Sequence, residues 1–399
     1  MGLMTGTTGG LQPPPPPAVT PERLKRASAA LSKSVSLHLE GKLDEAAQVL
    51  DRAIEKGDRS PGLLSALGHT RYEMYDFAAA AAAYARLVET EPENRAACFN
   101  LGVCQSRLNE WKKAAEAFRA ALSGEDGRPD ALLGLGICLI HEGRAAEAAA
   151  PLDKFLGLYP DNQQALFGKA VVLHQTGRAE EAVDHYRRLL ALNPRCEDAL
   201  SNLVALYLEK QDLESTRRYA GMLAELRPES PVAVEALASV AFADGDYPAA
   251  ARHCLNLSEV APERSENWFN LGVAHHKMGS FQKAAQAYER AVAGKPEFAL
   301  AHLNLGVVRQ ELNDLAGARA SYEKAYQFDS GQPGVIWNLA LVLEQQAERN
   351  WAEKLYAKIP RDAPEWCDAC FRLGYLRLLR GDYPASAEAF QTCLQRRPE

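Results

Sequence analysis

The stretch NWFNLGVAHHKMGSFQKAAQAYERAVAGKPE, from Asn267 to Glu297, decides how the chain reads. Trp268, Leu271 and Gly272 are spaced by three and four residues, the interval that lines up on one face of a helix. After Gly279 the pattern restarts, and Phe281, Ala284, Tyr288 and Ala291 share one face of a second helix. Gly279 supplies the turn between them. Pro296 ends the second helix, because proline has no amide donor and biases the residue before it away from helix. The stretch is a helical hairpin with one apolar face on each arm.

One hairpin cannot bury its own apolar faces, so the rest of the chain is read for copies of it. Pro160, Pro194, Pro228, Pro262 and Pro296 stand 34 residues apart, with Pro92, Pro364 and Pro398 on the same register. Counted from Ala27, proline is position 32 of a unit, and units begin at residues 27, 61, 95, 129, 163, 197, 231, 265, 299, 333 and 367. Position 8 is small in ten of the eleven, from Ser34 and Gly68 to Gly374, Val204 being the exception. Position 20 is Ala in nine, relaxing to Thr216 and Ser386, and position 7 is Leu in nine. Position 24 is mostly large, as at Tyr84, Phe118, Tyr186, Tyr288, Tyr322, Tyr356 and Phe390. Gly, Asn or Asp near position 15 marks the turn, as at Gly41, Asn109 and Gly245.

These positions are those of the tetratricopeptide repeat, and from residue 27 onward the chain resembles that family without an insertion. The resemblance implies an all-α, right-handed superhelical solenoid of eleven 34-residue helix-turn-helix repeats over residues 21–399, with a concave groove. Residues 1–20, Gly/Thr-rich and then carrying Pro13 to Pro17, read as a disordered tail. Pro21 suits the first turn of a helix, and Lys33 and Ser34 at core positions make the first repeat polar, as a terminal one should be.

The bulk numbers narrow the function classes. The chain has 399 residues, 47% of them apolar, and a formal charge of −7, which is not the basic footprint of a nucleic-acid binder. Eight scattered cysteines fit reduced thiols in a cytoplasmic setting better than a secreted disulfide framework. The N-terminus has no basic segment followed by an apolar one, so it does not read as a secretory signal. The longest apolar run, Ala131 to Ile140, is half of the roughly 20 residues that cross a bilayer. No phosphate loop or hydrolase motif survives the register, so neither an enzyme nor a cofactor is expected.

In the family, the groove is lined by first helices at positions 2, 5, 6, 9, 12 and 13. Position 5 carries Phe99, Phe167, Phe269, Trp337 and Phe371, an aromatic stripe that serves packing, a partner, or both. Position 6 carries Asn100, Asn202, Asn270, Asn304 and Asn338, and a side-chain amide can pair with a peptide backbone of any sequence. That row resembles the asparagine ladder in the repeat arm of O-GlcNAc transferases. The carboxylate clamp of chaperone adaptors is missing apart from the asparagines and Arg372. His38, His174 and His276 fall at position 12 of separate units, too far apart in sequence to suggest a metal site.

The expected function is a non-enzymatic adaptor that binds a partner peptide or helix in its groove. The alternative is the substrate-selecting arm of a larger enzyme such as a protein glycosyltransferase. Partners are proteins, with neither nucleic acid nor membrane. Leu379, Phe390 and Cys393 in the last hairpin are expected to be partly uncovered, which allows self-association there. WCDACFRLG, Trp366 to Gly374, looks like a redox C-x-x-C, but its Leu373 and Gly374 are the repeat's own Leu-Gly and no βαβ frame surrounds it. Cys367 is left at a helix N-terminus, where thiolate is favoured, and Cys370 is placed against the core.

Overall fold

The computed structural model describes residues 21–56, 60–123 and 128–396, with side chains from residue 29 to residue 395. The expected N-terminal tail lies outside the described residues. Contacts divide the chain into two compact units, Met1–Leu206 and Tyr207–Glu399.

The first unit holds α1 (Pro21–Leu39), α2 (Leu43–Glu55), α3 (Pro61–Glu73), α4 (Phe77–Thr90), α5 (Arg95–Arg107), α6 (Trp111–Ala121), α7 (Asp130–His141), α8 (Ala145–Leu158), α9 (Gln163–Gln175) and α10 (Ala179–Leu192). The boundary between the units falls inside α11 (Glu197–Glu209). The second unit continues with α12 (Leu213–Leu226), α13 (Pro231–Asp244), α14 (Tyr247–Val260), α15 (Ser265–Lys277), α16 (Phe281–Gly294), α17 (Ala299–Glu311) and α18 (Leu315–Phe328). It closes with α19 (Pro333–Gln345), α20 (Arg349–Tyr356), α21 (Trp366–Arg380) and α22 (Tyr383–Arg396). No strand occurs among the described residues. Each unit is an all-α helical-repeat solenoid in which consecutive helices pack on one another.

The turn inside each hairpin recurs at position 15. All eleven residues there have positive φ, between 57° at Gln211 and 84° at Gly381. Six are glycine, and Tyr75, Asn109, Gln211, Asn313 and Ala347 adopt the same left-handed conformation. Tyr75, Gln211 and Ala347 are not residues the turn would select, because a Cβ makes that region unfavourable by about 1 to 2 kcal/mol. What holds them is a repeated closure of the first helix. The amide of position 16 donates to the carbonyl of position 11, from Lys42 to Leu37 at 2.9 Å through to Asp382 to Arg377 at 3.0 Å. This is the bond pattern that satisfies orphan carbonyls at a helix end. Position 16 is often aspartate, and Asp76, Asp212, Asp246, Asp314 and Asp382 each accept from an amide in the first turn of the following helix.

The core is built on positions 8, 20 and 24. The nine position-20 alanines, from Ala46 to Ala352, are all fully buried. Tyr84, Tyr186, Tyr288, Tyr322 and Phe118, all at position 24, are the largest side chains that are fully or almost fully buried. Glycine at position 8 makes room for those rings: a Cβ at Gly272 would stand 2.6 Å from the Tyr288 ring and one at Gly68 2.7 Å from Tyr84. Small residues at this position therefore admit an aromatic ring between the helices, as well as letting the backbones approach. In the last repeat Ser386 at position 20 donates to Gly374 O at 2.8 Å, linking the two arms directly.

The tenth repeat departs from the pattern. Its second helix, α20, stops at Tyr356 after eight residues. Pro360 comes four residues before the register proline Pro364, and the helix cannot run through it. Ile359, three residues past the end of the helix, still reaches the core, at 4% exposure.

Burial raises the pKa values of the core thiols and phenols. Cys104 and Cys138 are pushed up to about 12 and Cys254 to about 11, and the position-24 tyrosines are also pushed up, by loss of solvent around the charged form. A raised folded-state value means stability that is complete below the unfolded value and lost as pH rises through the folded one. The urea midpoint is therefore expected to hold near neutrality and to fall steadily above about pH 9, where unfolded thiols ionise. A midpoint flat to about pH 11 would contradict this.

Candidate peptide-binding surface

First helices approach one another most closely at three places in the first unit: α1 lies against α3, α5 against α7 and α7 against α9. Position 6 of α7 and α9 is Gly134 and Gly168, where five other repeats carry asparagine. A Cβ at Gly134 would stand 2.5 Å from Phe118 Cζ, so the missing side chain lets the ring of the preceding hairpin into the space between α5 and α7.

That closure buries the residues expected to line the groove there. Phe99 is 8% exposed, with the Arg128 guanidinium over its ring at 4.6 Å, and Phe167 is 3% exposed. Asn100 is 1% exposed and faces Tyr84 of the preceding repeat, and its Oδ1 has no hydrogen-bond partner. These three side chains have almost no surface left to offer a ligand. Asn202 is half-buried.

In the second unit Ala236 and Leu303 are closed as well, but the other expected groove residues keep surface. Asn270 and Phe371 are exposed, while Phe269, Asn304, Trp337 and Asn338 are half-buried. Position 9 adds Val273, Val307 and Leu341, half-buried, and Tyr375, 42% exposed. Along α15, α17, α19 and α21 these residues make an apolar strip edged by amides.

Position 5 has a packing role in every repeat where it is aromatic. Its ring meets the position-24 ring of the same hairpin, with centroids 5.7 Å apart for Phe99 and Phe118, 5.9 Å for Phe167 and Tyr186, and 5.7 Å for Phe269 and Tyr288. Trp337 with Tyr356 and Phe371 with Phe390 repeat the contact at 5.5 Å. One edge staples the hairpin, and in the second unit the other edge is left to solvent.

The asparagines also differ. Asn338 Nδ2 donates to Gly334 O of its own helix at 2.8 Å, which uses one of its two donors. Asn304 lies beside the hydroxyl of Tyr288 in the preceding repeat.

Position 12 borders the strip with groups anchored from below. The Tyr356 hydroxyl donates to Glu344 Oε2 at 2.9 Å, Arg372 donates to Glu344 Oε1 at 3.2 Å, and Tyr322 bonds Gln310. His276 packs edge-on against Phe281 at 5.9 Å, and burial, with Lys277 beside it, holds its imidazole below the usual range. Glu344 and Gln310 escaped the sequence reading, although a tyrosine twelve residues further on signalled an anchored polar group.

Cys367 lies in the first turn of α21, as expected, but it is the more buried of the C-x-x-C pair. Cys367 is 7% exposed and Cys370 is half-buried, with its thiol pushed up by burial and by the neighbouring Cys393 and Cys367. Around them Leu378, Leu379, Tyr383 and Leu394 are 43% to 67% exposed.

Known proteins share this organisation. Tetratricopeptide-repeat models match residues 139–206, 235–296 and 269–333, and a model of the middle TPR-like domain of cilia and flagella-associated protein 70 matches residues 64–168. Among solved structures, PilF of Pseudomonas aeruginosa is 20% identical with a TM-score of 0.43, over 51% of this chain and 92% of that one. YrrB, described as a TPR protein with an unusual peptide-binding site, is 20% identical with a TM-score of 0.43, over 48% and 98%. The Cut9–Hcn1 structure from the APC/C matches at 17% and 0.36, over 94% and 82%. No curated protein sequence matches. With matched repeat models in both units and the small-residue, turn and aromatic positions recurring through eleven hairpins, the chain belongs to the tetratricopeptide-repeat family.

Proposed function

We propose that the chain is a non-enzymatic scaffold that holds an extended peptide of a partner protein along α15, α17, α19 and α21. Tetratricopeptide arrays serve in general as protein-interaction scaffolds. The observation that carries the finer reading is local burial: Phe99, Asn100 and Phe167 are closed on α5 and α9, while Phe269, Asn270, Asn304, Trp337, Asn338 and Phe371 keep surface on α15, α17, α19 and α21. Asn270, Asn304 and Asn338 fall on consecutive hairpins. First helices roughly 10 Å apart would meet about every third residue of an extended chain that rises about 3.3 Å per residue. Trp337, Phe371 and Tyr375 would take apolar side chains, and Arg372 with Glu344 would set the polar end.

The test uses peptides selected from a random library on the full-length chain. Replacing Asn270 or Asn304 by alanine is expected to weaken such a peptide about fivefold each, the value of one hydrogen bond near 1 kcal/mol. A Phe99→Leu change in the buried set should leave affinity alone. Unchanged affinity in both asparagine variants would remove the backbone-pairing reading. Selected peptides that map to α21 and α22 alone would move the docking surface to the exposed leucines there, where a second copy of the chain becomes the proposed partner.

A further inference from the structure

His38 closes the last turn of α1, and His69 and Glu73 stand four residues apart on one face of α3. Because α1 lies against α3, the three side chains converge. His38 Nε2 is 3.0 Å from Glu73 Oε2, and His69 Nε2 is 3.3 Å from Glu73 Oε1. The imidazoles stack with centroids 5.6 Å apart, and one ligand atom from each residue lies within 4.8 Å of the other two.

The ionic partners of Glu73 among the described residues are these two imidazoles. Nδ1 of His69 is buried without a partner, so the polar contacts of that ring run through Nε2. The three side chains are 26%, 28% and 39% exposed, open enough for an ion and its water to enter.

Two imidazoles and a carboxylate suit zinc and its late first-row neighbours, whereas magnesium and calcium take oxygen ligands throughout. Metal–ligand bonds of about 2.0 to 2.1 Å place neighbouring ligands of a tetrahedral ion roughly 3.3 Å apart. Each histidine–glutamate separation is close to that edge, but the two run to different oxygens of Glu73, so the ligand atoms must draw in from their present spread of up to 4.8 Å around an ion. We propose that His38, His69 and Glu73 form a zinc-class divalent metal site, completed by water, that ties the first repeat to the second. Binding to the folded form alone stabilises the α1–α3 contact by mass action.

The test uses the metal-free, untagged, reduced full-length chain titrated with zinc chloride and, separately, with cobalt(II). Zinc is expected to bind saturably, with affinity reduced at least about tenfold in each of His38→Ala, His69→Ala and Glu73→Gln. Cobalt should give visible d–d bands without the near-ultraviolet thiolate charge-transfer band, which separates this site from the eight cysteines. Zinc should also slow amide exchange in α1 and α3.

The wild-type cobalt spectrum and exchange pattern read ligand type and place directly, so they decide the matter even where a variant loses its fold. No saturable binding would overturn the proposal. So would binding that persists in the doubly substituted His38→Ala, His69→Ala chain, or a thiolate-dominated cobalt spectrum.

Discussion

Replacing Tyr322 by alanine is expected to destabilise the chain by about 3 to 5 kcal/mol, the cost of emptying the site of a fully buried aromatic ring. The ring fills the gap opposite Gly306, lies in a cluster with Leu303, Ala325, Ile336 and Leu339, and bonds Gln310 through its hydroxyl. Tyr322→Phe removes only that hydroxyl and should cost about 1 kcal/mol. The same space can be attacked from the other side. A Cβ at Gly306 already collides with three atoms of the Tyr322 ring, so Gly306→Val is expected to cost about 2 to 3 kcal/mol through overpacking.

The two changes should not add. With Tyr322 cut back to alanine, the valine at 306 has room, and the double variant should be at least about 1 kcal/mol more stable than the sum of the singles implies. Urea unfolding of the full chain, with amide exchange in α17 and α18 to locate the loss, measures this. Strict additivity would mean that the glycine is not there to admit the ring.

Asp153→Ala is expected to destabilise the first unit by about 1 to 2 kcal/mol, while Lys169→Leu should leave stability unchanged or raise it by up to about 1 kcal/mol. Lys169 stands at position 7, where nine repeats have leucine, and it is only 5% exposed. Its ammonium is held 2.7 Å from the Asp153 carboxylate on α8. Removing the carboxylate strands a charge that burial has stripped of water. Removing the lysine strands only Asp153, whose side chain is 59% exposed and is rehydrated. That same exposure keeps the first cost below that of a fully buried pair. Greater loss in Lys169→Leu than in Asp153→Ala would show that the aliphatic stem, and not the pairing, matters at this position.

Both predictions concern residues whose positions are legible in the sequence and whose environments are not. Gly306 and Tyr322 stand out as positions 8 and 24, yet only the packed hairpin shows that one is small because the other is large. The turn at position 15 is read correctly from its glycines and asparagines. Tyr75, Gln211 and Ala347 take the same backbone conformation because the helix-closing hydrogen bond on either side imposes it. The early end of α20 follows from Pro360, which a reading by register alone passes over.

The candidate surface was less legible still. Phe99, Asn100 and Phe167 share their positions with Phe269, Asn270 and Trp337, and the pattern cannot tell the two sets apart. Neighbouring helices separate them, since Gly134 leaves room for the Phe118 ring between α5 and α7, and α9 lies close against α7. The cluster of His38, His69 and Glu73 is invisible for a related reason. Its members come from two helices with a whole hairpin arm between them, and no spacing rule joins them.

By itself, then, the sequence determined the eleven hairpins, their turns and the residues that pack within each, because helical periodicity and the breaking of helices are local properties of the chain. Tertiary structure alone decided which groove positions meet solvent, which lysine is buried and which histidines meet. Those depend on how closely one hairpin approaches the next, and that distance is set by a few side chains more than a helix away.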